Sequence, residues 1–106
     1  MKDTIILTSK LAAQSEDLLG LVGLLAQEGS RVGLLFAGDG VYSLVEGSDG
    51  QKALARLGSS VEQFGCIQDI QARGIAQKVA VGVKSVDYDQ MVELMMHGFS
   101  KVVSYL

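Results

Sequence analysis

The sequence contains no proline and only one cysteine, Cys66, in its 106 residues. Without proline, glycine is left to punctuate the chain, and thirteen glycines do so. One cysteine excludes an internal disulfide, and the lack of any CxxC pair or Cys/His cluster removes the usual metal-ligand spacings. Neither a metal nor a cofactor is expected. Basic runs are missing as well. The nine Lys and Arg residues are scattered from Lys2 to Lys101 and the net charge is −3, which argues against strong direct binding to nucleic acid. The longest apolar stretch, Leu18 to Ala26, is interrupted by Gly20 and Gly23 and is far too short to span a bilayer. The opening Met1-Lys2-Asp3-Thr4 has neither the apolar core nor the cleavage pattern of a signal peptide, so a cytoplasmic, reducing location with a free thiol is the expectation. Neither GxGxxG nor GxxxxGK[ST] occurs, which leaves dinucleotide and P-loop readings without a motif.

What is present is apolar. Hydrophobic residues make up 48% and charged residues 20% of the chain, enough for one core and one domain over residues 1–106. A domain this small cannot hide all of that surface, so part of it is expected at a subunit interface. Thr4 to Thr8 (TIILT) reads as a buried strand, and Ser15 as the N-cap of a helix with Leu18, Leu19, Val22, Leu25 and Ala26 on its apolar face. Arg31 to Phe36 forms the second strand, and Gly38-Asp39-Gly40 turns the chain into Val41 to Glu46, a segment equally suited to a strand or to one or two helical turns. Asp49 caps a helix through Leu57, Val61 to Cys66 is a third strand, and Gln68 to Arg73 a short helix ended by Gly74. Lys78 to Val83 (KVAVGV) reads as a fourth strand. Asp87 and Gln90 have capping-box spacing ahead of a helix that places Val92, Met95, Met96 and Phe99 on one face, and Lys101 to Tyr105 is the last strand. This alternation predicts an α/β fold: a three-layer α/β/α sandwich around a mainly parallel five-stranded sheet. Sites in such sheets form beyond the carboxyl ends of the strands.

Cys66 falls on that edge, where a strand gives way to a helix. Free amides and the helix dipole at that point favour a thiolate, although Asp69 one turn along opposes it, and an inert buried cysteine is the plain alternative. Asp69 and Arg73 have the spacing of a helix-surface ion pair. Gly38, Asp39, Gly40 and Tyr42 could offer backbone amides and a hydroxyl to an anion or a partner; an ordinary tight turn is the simpler reading. Thr8-Ser9-Lys10 is a weak phosphate-loop candidate, because Leu11-Ala12-Ala13 stand where further hydroxyls and a glycine are needed. His97, the only histidine, suits a helix C-terminus and is read as structural.

Three stretches together resemble the DsrE/DsrF/DsrH family of small sulfur-relay proteins, whose tRNA-modifying members are TusD, TusC and TusB. They are Leu35-Phe36-Ala37-Gly38-Asp39-Gly40-Val41-Tyr42, Cys66 through Ile75, and Val86-Asp87-Tyr88-Asp89-Gln90-Met91-Val92-Glu93-Leu94. The third is similar to the TusB/DsrH branch. Cys66, seven residues before Arg73-Gly74, matches the persulfide-carrying position of the TusD/DsrE branch. The resemblance implies assembly with sister subunits or with itself, and two roles. In one, Cys66 accepts sulfur from an upstream persulfide donor and hands it to an acceptor protein, in wobble-uridine 2-thiolation of tRNA or in sulfur oxidation. In the other, the chain is a non-catalytic assembly subunit. A small anion- or nucleotide-binding domain using the loop after the first strand is a third expectation.

Overall fold

The computed structural model describes residues 3–58 and 60–106. Five parallel strands, β1 (Thr4–Thr8), β2 (Val32–Phe36), β3 (Val61–Cys66), β4 (Lys84–Val86) and β5 (Lys101–Tyr105), pair in the order β4-β3-β2-β1-β5. Four α-helices connect them: α1 (Glu16–Gln27), α2 (Asp49–Ala55), α3 (Ile67–Ala72) and α4 (Tyr88–Glu93). The α/β sandwich expected from the alternation is the fold observed.

The strand order explains why the two faces are covered unequally. From β1 to β4 the chain steps across the sheet in one direction, and only the last connection returns past β1 to place β5. Right-handed crossovers therefore put α1, α2 and α3 on one face and α4 alone on the other. The core divides accordingly. Leu18 and Val22 of α1, Leu54 of α2 and Ile70 of α3 pack on Ile6, Val32, Leu34 and Phe36. On the opposite face Met91 of α4 and Phe99 cover Ile5, Leu35, Phe64, Cys66 and Val86.

Both faces depend on glycines that let elements approach closely. A Cβ on Gly65 would meet Leu44 Cδ1 and Ile70 Cδ1 at 2.5 and 2.9 Å, so α3 reaches the sheet only because this position is bare. At the opposite end of β3, the Arg31 guanidinium lies 4.3 Å from the Phe99 ring centroid and donates to the Gly98 carbonyl at 3.1 Å and to Glu62. The hydrogen bond from Arg31 holds the Glu62 carboxyl below its usual range, with Lys84 adding a second contact at 3.2 Å.

Several expected elements are confirmed to the residue, among them Thr4–Thr8, Val61–Cys66 and Lys101–Tyr105. The capping box at Asp87 and Gln90 is formed in both directions. Others are corrected. Lys78 to Val83 is not a strand: Ala76–Lys78 is a 3-10 turn, Val79 makes a lone antiparallel bridge to Val45, and Val81 is fully exposed. Gly82 adopts φ 98°, which breaks the extended run, and the fourth strand starts only at Lys84. For Val41 to Glu46 the helical one of the two expectations holds, because Gly38–Leu44 winds as a 3-10 helix. Ser15 occupies the α1 N-cap, but its hydroxyl turns back to donate to the Leu11 carbonyl at 2.8 Å. Ser48, not Asp49, caps α2, accepting the Gln51 N–H at 3.2 Å. After α4 the chain widens into a π-helical turn, Leu94–Gly98, which shifts the helical register. The buried face is carried by Met91 and Phe99, and Val92 and Met96 are left exposed.

Gly65→Ala should overpack the α3 contact and lower unfolding stability by about 1–3 kcal/mol. Gly20→Ala, on the open side of α1 with nothing within 4 Å of the added Cβ, should raise it by about 0.5–1 kcal/mol. Urea denaturation of the two variants checks both signs.

Candidate functional site

Parallel pairing aligns the carboxyl ends of β2, β3 and β4, and the residues that follow these strands form the site. In the β3–β4 register Cys66 stands opposite Val86. The first residues of the next helices, Ile67-Gln68-Asp69 in α3 and Tyr88 in α4, are thereby brought to the same corner. Cys66 is itself the N-cap of α3, and the backbone amides of Gln68 and Asp69 face its sulfur.

The expected open, stabilised thiolate is not what this geometry produces. Cys66 is 0% exposed, packed with Phe64, Val86 and Met91, and its Sγ lies 3.6 Å from Gln68 Oε1. Burial pushes the thiol pKa up and the Asp69 carboxylate adds to the shift, outweighing the two amides that favour the anion. A helix of six residues also has a small dipole to contribute. Burial and the Asp69 carboxylate both favour the protonated thiol over the thiolate. Tyr88 is 56% exposed, and its hydroxyl is held above its usual pKa by the nearby Cys66 sulfur and Asp69 carboxylate.

Gly38, Asp39, Gly40 and Arg73 do come together, but their polar groups are spent on one another. The Gly38 N–H donates to Asp69 Oδ2 at 2.8 Å and the Gly40 N–H to the Ala37 carbonyl at 3.0 Å. Arg73 donates to Asp39 Oδ1 through Nε at 3.0 Å and Nη2 at 2.9 Å, and to the Asp69 carbonyl through Nη1 at 3.2 Å. The expected Asp69–Arg73 pair is present at 3.7 Å as one part of this clamp. These contacts tie the turn after β2 to α3 as a structural clamp. Tyr42, at the outer side of the same 3-10 helix, stays exposed and open to a partner.

The loop after β1 is closed in the same way. The Lys10 N–H donates to Thr8 Oγ1 at 3.1 Å and the Ala12 N–H to Ser43 Oγ at 2.8 Å. Gly40 packs against this backbone, and a Cβ there would meet Ser9 and Lys10 main-chain atoms at 3.1 Å. His97 lies in the π-helical turn, lining a groove with Phe64, Lys84 and Val86.

Sequence reasoning passed over Gln68 and Tyr88 as neighbours of the thiol. The available signal was positional: each stands at the start of the helix that follows one of two adjacent parallel strands.

With this geometry in view, the comparisons with known proteins are informative. A family model described as "DsrH like protein" matches residues 10–100. The chain belongs to the DsrH-like family. As a member, it is a subunit of the sulfur-relay type, a class whose members act with sister subunits in a complex. Among solved structures, the fold is similar to that of the ychN protein from E. coli, with a TM-score of 0.82 and 22% identity, covering 99% of this chain and 100% of that one. It is also similar to the protein of unknown function MTH1491 from Methanobacterium thermoautotrophicum, with a TM-score of 0.77 and 19% identity, covering 97% of each chain. At these identities the likeness speaks for the fold. No curated protein matches the chain.

Asp69→Asn keeps an acceptor for Gly38 and removes the anion beside the sulfur. It should speed alkylation of native Cys66 at pH 8, with wild-type Cys66 reacting roughly ten-fold slower than the same thiol in urea. Because the folded thiol holds its proton more tightly than the unfolded one, its contribution to stability is complete below the ordinary thiol pKa and fades as pH rises through the raised one. Cys66→Ala should flatten this alkaline loss, as read from urea midpoints at rising pH.

Proposed function

We propose that this chain is a non-catalytic assembly subunit of a sulfur-relay complex, in which Cys66 rests as a buried, protonated thiol. The observation that carries this reading is the 0% exposure of Cys66 together with the upward push on its pKa. A sulfur carrier needs the reverse, a thiolate that a donor can reach. The exposed apolar side chains fit a subunit that works through its surface: Leu24, Tyr42, Val92, Met96, Val102 and Leu106 are each more than 40% exposed. The partners in this reading are sister subunits or further copies of the chain. The setting is cytoplasmic, in keeping with a free thiol, and none of the described helices is long and apolar enough to cross a membrane. Strong direct contact with nucleic acid is not part of it, given a net charge of −3 and scattered basic residues.

A second reading, favoured by the two amides that face Sγ and by the exposed Tyr88 beside it, keeps Cys66 as a persulfide carrier. The Cys66 thiolate would attack the outer sulfur of a donor R–S–SH, giving Cys66–S–SH and releasing R–S⁻, with no external oxidant. An acceptor in wobble-uridine thiolation or in sulfur oxidation would then take that sulfur.

Intact-mass measurement separates the two. After incubation with a cysteine desulfurase and free cysteine, the assembly reading expects neither the wild type nor Cys66→Ser to gain mass. A reducible gain of one sulfur atom, confined to the wild type, would establish the carrier reading instead.

A further inference from the structure

The two edges of the sheet are unlike. At one edge β4 is only three residues long, and Lys84 and Glu62 place charges beside it, the usual protection against unwanted pairing. At the other edge β5 is five residues long, straight, free of proline and pairs only with β1 among the described residues. Its Lys101 N–H donates to the Asp3 carbonyl, so Lys101, Val103 and Tyr105 turn their backbone groups inward to β1. Val102 and Ser104 turn theirs outward, and both residues are exposed.

We infer that the outer edge of β5 pairs antiparallel with β5 of a second copy, joining two sheets into one across a two-fold axis. The sequence of the strand is self-complementary in that arrangement. With the axis at Val103, the outward-facing Val102 and Ser104 of one copy exchange both backbone bonds with Ser104 and Val102 of the other. Val103 meets Val103, and Lys101 stands opposite Tyr105 instead of opposite another Lys101.

Charge supplies the second argument. Lys101, Val103 and Tyr105 lie on the α1 face of the sheet, since they pair with Thr4, Ile6 and Thr8. Tyr105 lines a polar groove there together with Ala13, Gln14, Ser15, Glu16 and Asp17 at the start of α1. The pairing carries Lys101 of the second copy to this groove, where it meets two carboxylates. Lys10, whose Nζ is 6.0 Å from the Tyr105 ring centroid, partly offsets the attraction. A five-residue pairing buries little surface, so the dimer is weak and concentration-dependent, at the low end of specific interfaces.

This inference extends the assembly reading by naming one surface and one partner, and it does not involve Cys66. Sedimentation equilibrium of the purified full chain should show a monomer–dimer equilibrium. Ser104→Pro removes an outward N–H and leaves the bonds to β1 intact; it should weaken dimerisation by about ten-fold or more without loss of the folded circular-dichroism spectrum. Lys101→Glu, on the surface, should weaken it as well, and adding Glu16→Lys should restore it; this pair carries the test if Ser104→Pro misfolds. A wild type that stays monomeric at every concentration, an oligomer that both single variants leave intact, or a charge swap that restores nothing would each overturn the inference. A monomer that also takes no sulfur from a desulfurase would overturn it and leave the assembly reading standing.

Discussion

The carboxylate of Asp69 holds the corner of the molecule on which the functional account depends. One oxygen accepts the Gly38 N–H at 2.8 Å and the other lies 3.7 Å from the Arg73 guanidinium, which in turn grips Asp39. These bonds fasten α3 to the turn after β2. The same carboxylate lies close enough to the Cys66 sulfur to oppose its ionisation. One residue therefore both builds the clamp and helps keep the thiol neutral. Its hydrogen bonds are the stronger, charge-assisted kind, so loss of the clamp and activation of the sulfur are physically linked.

The asymmetry of the layers has a comparable single origin. Because the chain reverses direction across the sheet only once, one helix has to cover a face that three share on the other side. It does so with a π-helical turn that brings Phe99 over Gly33 and Phe64, the two rings meeting edge to face at 6.3 Å. The arrangement leaves Val92 and Met96 of that layer exposed, along with Val102 on β5. A chain that leaves this much apolar surface exposed is better suited to an assembly than to life as a monomer.

Much of the fold was legible in the sequence, and the reasons differ by element. Thr4–Thr8 and Lys101–Tyr105 are short apolar runs bounded by polar residues, and such runs have few alternatives. The capping box at Asp87 and Gln90 is a local device that forms wherever a helix starts. Lys78 to Val83 misled because apolar content was weighed above Gly82, whose positive φ ends any strand. Val41 to Glu46 was undecidable locally, since its 3-10 winding is set by contacts with α2 and α3. At the site, the strand end at Cys66 and the Asp69–Arg73 pair could be read from spacing. The burial of the sulfur could not, because Val86 and Met91 are brought against Cys66 only through the register of β3 with β4 and the packing of α4.

The central claim, a thiol kept neutral by burial and by Asp69, is tested most directly by following the Cβ chemical shift of Cys66 in the native protein across pH. The account predicts a titration midpoint above that of an ordinary cysteine, moving downward in Asp69→Asn. A midpoint below the ordinary value in the wild type would contradict it.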